Sequence, residues 1–199
     1  MIRHICTALN AESQWINNTS KNGGRSLETI RFPEDINKVE FLENYAARLL
    51  ECISVSMASS FEQTLTPESD ELWYKYLKIN LDKGVRYIII EDTGIIRGYL
   101  VWYYHLDEVE FYDLIIHPEH QGDCITLRKL LSEFASDIQD MGFVNLLAYT
   151  NFKNDRMNGI LLKHGFTVRE VKTRGTLYYI SVDKFLKKFL KNSRDGGRL

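Results

Sequence analysis

Apolar side chains recur at three- and four-residue steps along several stretches of the chain and cluster or alternate in shorter ones, which separates helices from strands by period alone. Ile36, Val39, Leu42, Ala46, Leu49 and Ile53 mark one amphipathic helix, with Pro33 suited to its first turn. Small and polar residues interrupt the pattern over 54–67, and Leu72, Tyr76 and Ile79 resume it in a second helix over 68–83 that Gly84 closes. The cleanest stripe is Leu127, Leu130, Leu131, Phe134, Ile138 and Met141, stopped at Gly142, and residues 155–163 form a short helix before Gly165. Strands are expected at 27–32, 86–91, 95–104, 109–116, 143–150, 166–171 and 176–182, the second and third joined as a hairpin through Asp92-Thr93-Gly94. A helix between two strands of one sheet implies a parallel pair, so the fold class is α/β with a mixed sheet. Period-two alternation puts Glu110 and Asp113 on opposite faces of their strand.

The ends read differently. Residues 1–25 are polar and aperiodic, ending in Asn22-Gly23-Gly24, and are expected to form an extension to a domain over 26–182. Over 183–199, Phe185, Leu186, Phe189 and Leu190 face one way and Lys184, Lys187, Lys188 and Lys191 the other. This basic amphipathic helix covers its own domain, with an anionic surface or a protein partner as the alternatives.

Composition narrows the classes. The chain has 199 residues, 44% of them apolar, which suits one domain with a core that needs no staple. A formal charge of −2 gives no footprint for nucleic acid. Cys6, Cys52 and Cys124 lie far apart and outside metal-ligand spacing, as expected of free thiols in a reducing compartment. The first ten residues make a poor signal peptide, and no run of about 18 apolar residues occurs, so a cytoplasmic protein without a membrane span is expected. His117 and His120 flank Pro118 without a cysteine nearby in ligand spacing; they read as surface histidines, and no metal site is expected.

Two motifs carry a resemblance. Asp113-Leu114-Ile115-Ile116-His117-Pro118-Glu119-His120-Gln121-Gly122 is similar to the fourth strand and pyrophosphate-loop start of the GCN5-related N-acetyltransferase (GNAT) family. Asn154, Lys163, Gly165 and Phe166 fall where that family has its Asn, Lys and Gly-Phe ending. The resemblance implies a GNAT-like mixed sheet, mostly antiparallel with a splayed parallel strand pair, flanked by helices, and acetyl-CoA as cosubstrate. It implies a diphosphate-binding loop of Gln121, Gly122, Asp123, Cys124, Ile125 and Thr126, whose backbone N–H groups open a helix N-terminus. It also implies a pantetheine edge at Leu114, Ile115 and Ile116, a cofactor contact at Asn154, and Glu110 as the general base that takes a proton from the acceptor amine.

Three residues depart from the family pattern. Cys124 and Thr126 stand where small residues are usual, and Leu161 stands where many members have the tyrosine that protonates the departing thiolate. Tyr149, Tyr178 and Tyr179 are alternative proton donors on neighbouring strands. The implied function is transfer of an acetyl group from acetyl-CoA to an amine of an unidentified small molecule or protein. The alternative is a catalytically degenerate GNAT-fold binding or structural protein, for example one associated with a phage virion.

Overall fold

The computed structural model describes residues 27–61, 66–121 and 124–190. The expected extension over 1–25, the end of the C-terminal segment, and Gly122 and Asp123 lie outside the described residues.

Seven strands form one sheet in the order β1-β2-β3-β4-β5-β7-β6. They are β1 (Glu28–Phe32), β2 (Arg86–Asp92), β3 (Ile95–His105), β4 (Glu108–Ile116), β5 (Asn145–Asn151), β6 (Thr167–Lys172) and β7 (Gly175–Ser181). Every pairing is antiparallel except β4 with β5, the parallel pair that a helix between strands required. The β2–β3 turn uses Thr93 and Gly94 at positive φ, 51° and 80°, as a tight hairpin turn demands.

Helices cover both faces. On one side, α1 (Lys38–Asn44), α2 (Ala46–Phe61) and α3 (Pro67–Asp82) enclose a core of Phe32, Phe41, Leu49, Leu77, Ile89 and Ile115. On the other, α4 (Ile125–Ile138), α5 (Asp155–Lys163) and α6 (Val182–Phe189) enclose Ile88, Trp102, Phe111, Phe134, Met157 and Phe185. Arg31 on β1 pairs with Glu133 and with Asp137 at 3.1 Å, tying the edge strand to α4.

The first helix differs from its expected form. Pro33 follows a cis peptide in a turn, and α1 begins later, capped by the Asn37 side chain on the Glu40 N–H at 3.0 Å. Tyr45, at φ −118°, divides α1 from α2, which changes the helical phase. Phe41 is therefore buried and Val39 exposed, and α2 continues through 54–61, where small residues suggested a loop. In α3 the buried positions are Leu77 and Leu81, while Leu72, Tyr76 and Ile79, the expected stripe, face outward. α6 follows β7 without a linker and buries Phe185 against Phe111 and Phe134, with ring centroids 6.1 and 5.6 Å apart.

Candidate active site

The site is organised by an irregularity in β4. Trp102 pairs with Phe111 and Val101 with Asp113, so β4 carries one extra residue, Tyr112, between those pairs. The bulge resets the alternation: Val109, Phe111, Leu114 and Ile116 face the α4 side, while Ile115 faces the α2 side. Glu110, paired with Tyr103, and Asp113, paired with Val101, consequently share the α2 face. Simple alternation had separated them, and the extra residue is the physical reason it fails.

Around Glu110 the polar groups converge. The Tyr103 hydroxyl donates a short hydrogen bond to the Glu110 carboxylate, and the Tyr103 ring meets that of Tyr112 edge-on at 6.1 Å. Behind them, Tyr87 is buried, and its hydroxyl is held well above the usual tyrosine range by burial first and by Asp113 and Tyr112 next. Glu110 itself is half-buried and lies one residue before the last pair between β4 and β5.

Beyond this cluster the sheet has a gap. β4 and β5 pair only from Glu108↔Asn145 to Phe111↔Ala148; beyond that point both strands continue without pairing to each other. The His117 N–H donates to the Arg97 carbonyl on β3 at 2.8 Å. By strand alternation the peptide groups of Ile115 also face β3, and those of Leu114 and Ile116 face the gap. The Ile116 carbonyl already accepts from the Gln121 side-chain amide at 3.1 Å and from the Ser56 hydroxyl at 3.3 Å.

α4 begins at the rim of the gap. Its N-cap, Cys124, sits in the left-handed region at φ 55° and ψ −3° and makes no side-chain cap bond. Thr126 is fully buried, and its hydroxyl has no hydrogen-bond partner among the described residues. The first turn of α4 lies close on β3: a Cβ on Gly98 would meet the Ile115 carbonyl oxygen at 2.7 Å and the Thr126 methyl at 3.1 Å, so only glycine fits there. The stretch 117–127 contains no lysine or arginine. Gly122 and Asp123, expected in this loop, lie outside the described residues.

The other expected site residues are accounted for as follows. Asn154 is buried and caps α5, its side-chain oxygen accepting from the Met157 N–H at 3.1 Å. Leu161 is buried with Phe111, Leu114, Leu127 and Met157 in an apolar recess on the α4 side. Of the alternative proton donors, Tyr178 belongs to the core, Tyr179 is exposed and Tyr149 is half-buried on β5. Tyr103, Tyr112 and Ser56 were not anticipated. Tyr103 was within reach of counting: a turn at Leu106-Asp107 sets His105 opposite Glu108, and hence Tyr103 opposite Glu110.

No protein-family model matches the sequence, and no curated protein matches it. Solved structures do match in shape. The PaiA N-acetyltransferase of Thermoplasma acidophilum, in complex with coenzyme A, has a TM-score of 0.60 at 17% identity, over 78% of this chain and 99% of that one. A GNAT-family acetyltransferase of Staphylococcus aureus Mu50 gives 0.60 at 14% identity, over 79% and 99%. YncA of Salmonella typhimurium, solved with its cofactor acetyl-CoA, gives 0.53 at 18% identity, over 79% and 95%. At these identities the likeness shows the fold: the chain has the GNAT acetyltransferase architecture, a mixed seven-stranded sheet with one parallel pair.

Proposed function

We propose that this GNAT-fold chain is an N-acetyltransferase that moves the acetyl group of acetyl-CoA to an amine. The observation that carries the reading is the gap beyond Phe111↔Ala148, with the peptide groups of Leu114 and Ile116 turned towards it and the start of α4 at its rim.

The chain's own groups fit the cosubstrate. Cys124 already holds the positive φ for which a glycine would otherwise be used, and the orphaned Thr126 hydroxyl is a donor in want of an acceptor. Gln121, Gly122, Asp123, Cys124, Ile125 and Thr126 would hold the diphosphate, its charge meeting the positive end of the α4 dipole. Leu114 and Ile116 would offer gap-facing peptide groups to the pantetheine amides, and Asn154, the cap of α5, would be a contact near the cofactor thiol. Ile115, whose peptide faces β3, would serve through its side chain in the α2-side core. Acetyl-CoA supplies the activated thioester.

Glu110 would accept the proton that the acceptor ammonium must lose before its nitrogen can bond to the acetyl carbon. The Tyr103 hydrogen bond fixes the carboxylate for that task. As the carbon–sulfur bond breaks, the thiolate takes up a proton. Leu161 cannot give one; of the three tyrosines expected as alternatives, Tyr149 is the one on a gap strand, while Tyr178 is used in the core and Tyr179 is exposed.

A second reading keeps the fold as a binding or structural module without catalysis. It is favoured by the engaged Ile116 carbonyl and by Leu161 in place of a donor. The experiment that decides is coenzyme A release measured with acetyl-CoA and a panel of small amines and lysine peptides. The enzyme reading expects turnover that falls about 10²- to 10⁴-fold in Glu110→Gln. Binding of acetyl-CoA without turnover on any acceptor, in the parent and Glu110→Gln alike, leaves the second reading.

A further inference from the structure

We propose that His117, Glu119 and His120 form a binding site for a divalent transition-metal ion of the zinc class. The three residues lie on the short helical turn Pro118–His120 and the residue before it, between the end of β4 and Gln121. His117 is the N-cap of that turn, at φ −55° and ψ 135°, and the turn folds His120 back onto it. Their ring centroids are 5.8 Å apart. One ligand atom from each of the three side chains lies within 4.8 Å of the other two. A tetrahedral zinc ion with bonds of about 2.0–2.1 Å needs ligand atoms about 3.4 Å apart, so the three would close by up to about 1.4 Å on binding.

The backbone that carries them is already fixed. The His117 N–H donates to Arg97 on β3, and the His120 N–H donates to the His117 carbonyl, both at 2.8 Å. A second, independent observation points to a ligand: the His117 Nδ1 atom is buried and makes no hydrogen bond among the described residues. Buried ring nitrogens are ordinarily satisfied, and a metal ion is the partner for an orphan nitrogen in a cluster of this composition. Two imidazoles and a carboxylate suit zinc, cobalt or nickel rather than magnesium or calcium, and they leave a coordination position for water or a substrate oxygen. Spacing along the chain argued against a metal because it did not show Glu119 closing on the histidine pair. This site stands independently of the acetyltransferase reading.

The test is titration of the untagged full chain with Co²⁺, read by visible absorption, followed by displacement with Zn²⁺. One equivalent of tetrahedral Co²⁺ is expected, displaced by Zn²⁺ and not by Mg²⁺. His117→Ala and His120→Ala should each weaken binding by more than about tenfold, and Glu119→Gln by a smaller factor. Circular dichroism checks that each variant folds; Glu119→Gln, at an exposed side chain, and His120→Ala keep the test open if His117→Ala does not fold. The proposal is overturned by the absence of saturable absorption, or by affinity unchanged in both His120→Ala and Glu119→Gln. It is equally overturned by a thiolate-to-cobalt charge-transfer band, which would assign the ion to cysteine.

Discussion

Cys124 holds a backbone conformation that any residue with a Cβ adopts at a cost. At φ 55° it sits in the left-handed region, which is unfavourable by about 1–2 kcal/mol for an L-residue. Glycine removes that strain, loses about 0.5–1 kcal/mol of it again to chain entropy, and gives up the packing of the thiol on the core's edge. Cys124→Gly should therefore raise stability by no more than about 1 kcal/mol, seen as a rise of about 2–4 °C at most in the melting temperature. Calorimetry should also show it binding coenzyme A more tightly, since backbone N–H groups can approach a phosphate without the side chain between; unchanged or weaker affinity would remove this loop from the site. The local frame of the proposed site was legible because it rests on spacing along the chain: Glu110 lies on β4, Gln121 follows the turn after that strand, and Asn154 caps α5. The common face of Glu110 and Asp113 was not legible, because a bulge is a property of two strands in register and leaves no mark in one of them.

Elements follow a similar rule: those closed by a local signal were readable, and those divided by tertiary packing were not. α5 and the β2–β3 hairpin end at Gly165 and Gly94, both at positive φ, and were assigned within a residue or two. The division at Tyr45 and the rotated burial of α3 depend on how three helices share one sheet face, which a periodic count cannot see. α6 illustrates a reading that held through chemistry. Its apolar stripe covers the chain's own core, with Phe185 fully buried, so Phe185→Ala should cost about 3–5 kcal/mol in urea unfolding. Were α6 only a docking tail, the change would stay within about 0.5 kcal/mol. The α5–α6 contact carries a pH dependence as well. His164 is pushed down to about 4, from 6.5, by burial first and by Lys188 and Lys163 next. The unfolded chain takes up that proton near its ordinary value while the folded chain refuses it, so protonation favours unfolding. Stability should fall as pH drops from about 6.5 towards 4, and His164→Asn should flatten that fall in urea midpoints measured across the range.

At the scale of the molecule, one sheet separates two cores, and the gap between β4 and β5 opens in the middle of it rather than at an edge. A ligand seated there touches strands that belong to both cores, so its binding free energy stabilises the whole fold and not a lid or a loop. The overall charge of −2 carries no hint of such a ligand, because the proposed site would meet its diphosphate with a helix end and not a basic patch. Acetyl-CoA at a hundred times its dissociation constant should add about 2.7 kcal/mol. For a chain of this size that raises the melting temperature by roughly 5–11 °C. Glu110→Gln should show the same shift while losing transfer, since in the proposed mechanism its carboxylate serves the acceptor and not the cosubstrate. A shift in the parent that vanishes in Glu110→Gln would move Glu110 from the chemistry to the binding of coenzyme A. No shift in either protein at millimolar ligand would leave the gap without its proposed occupant.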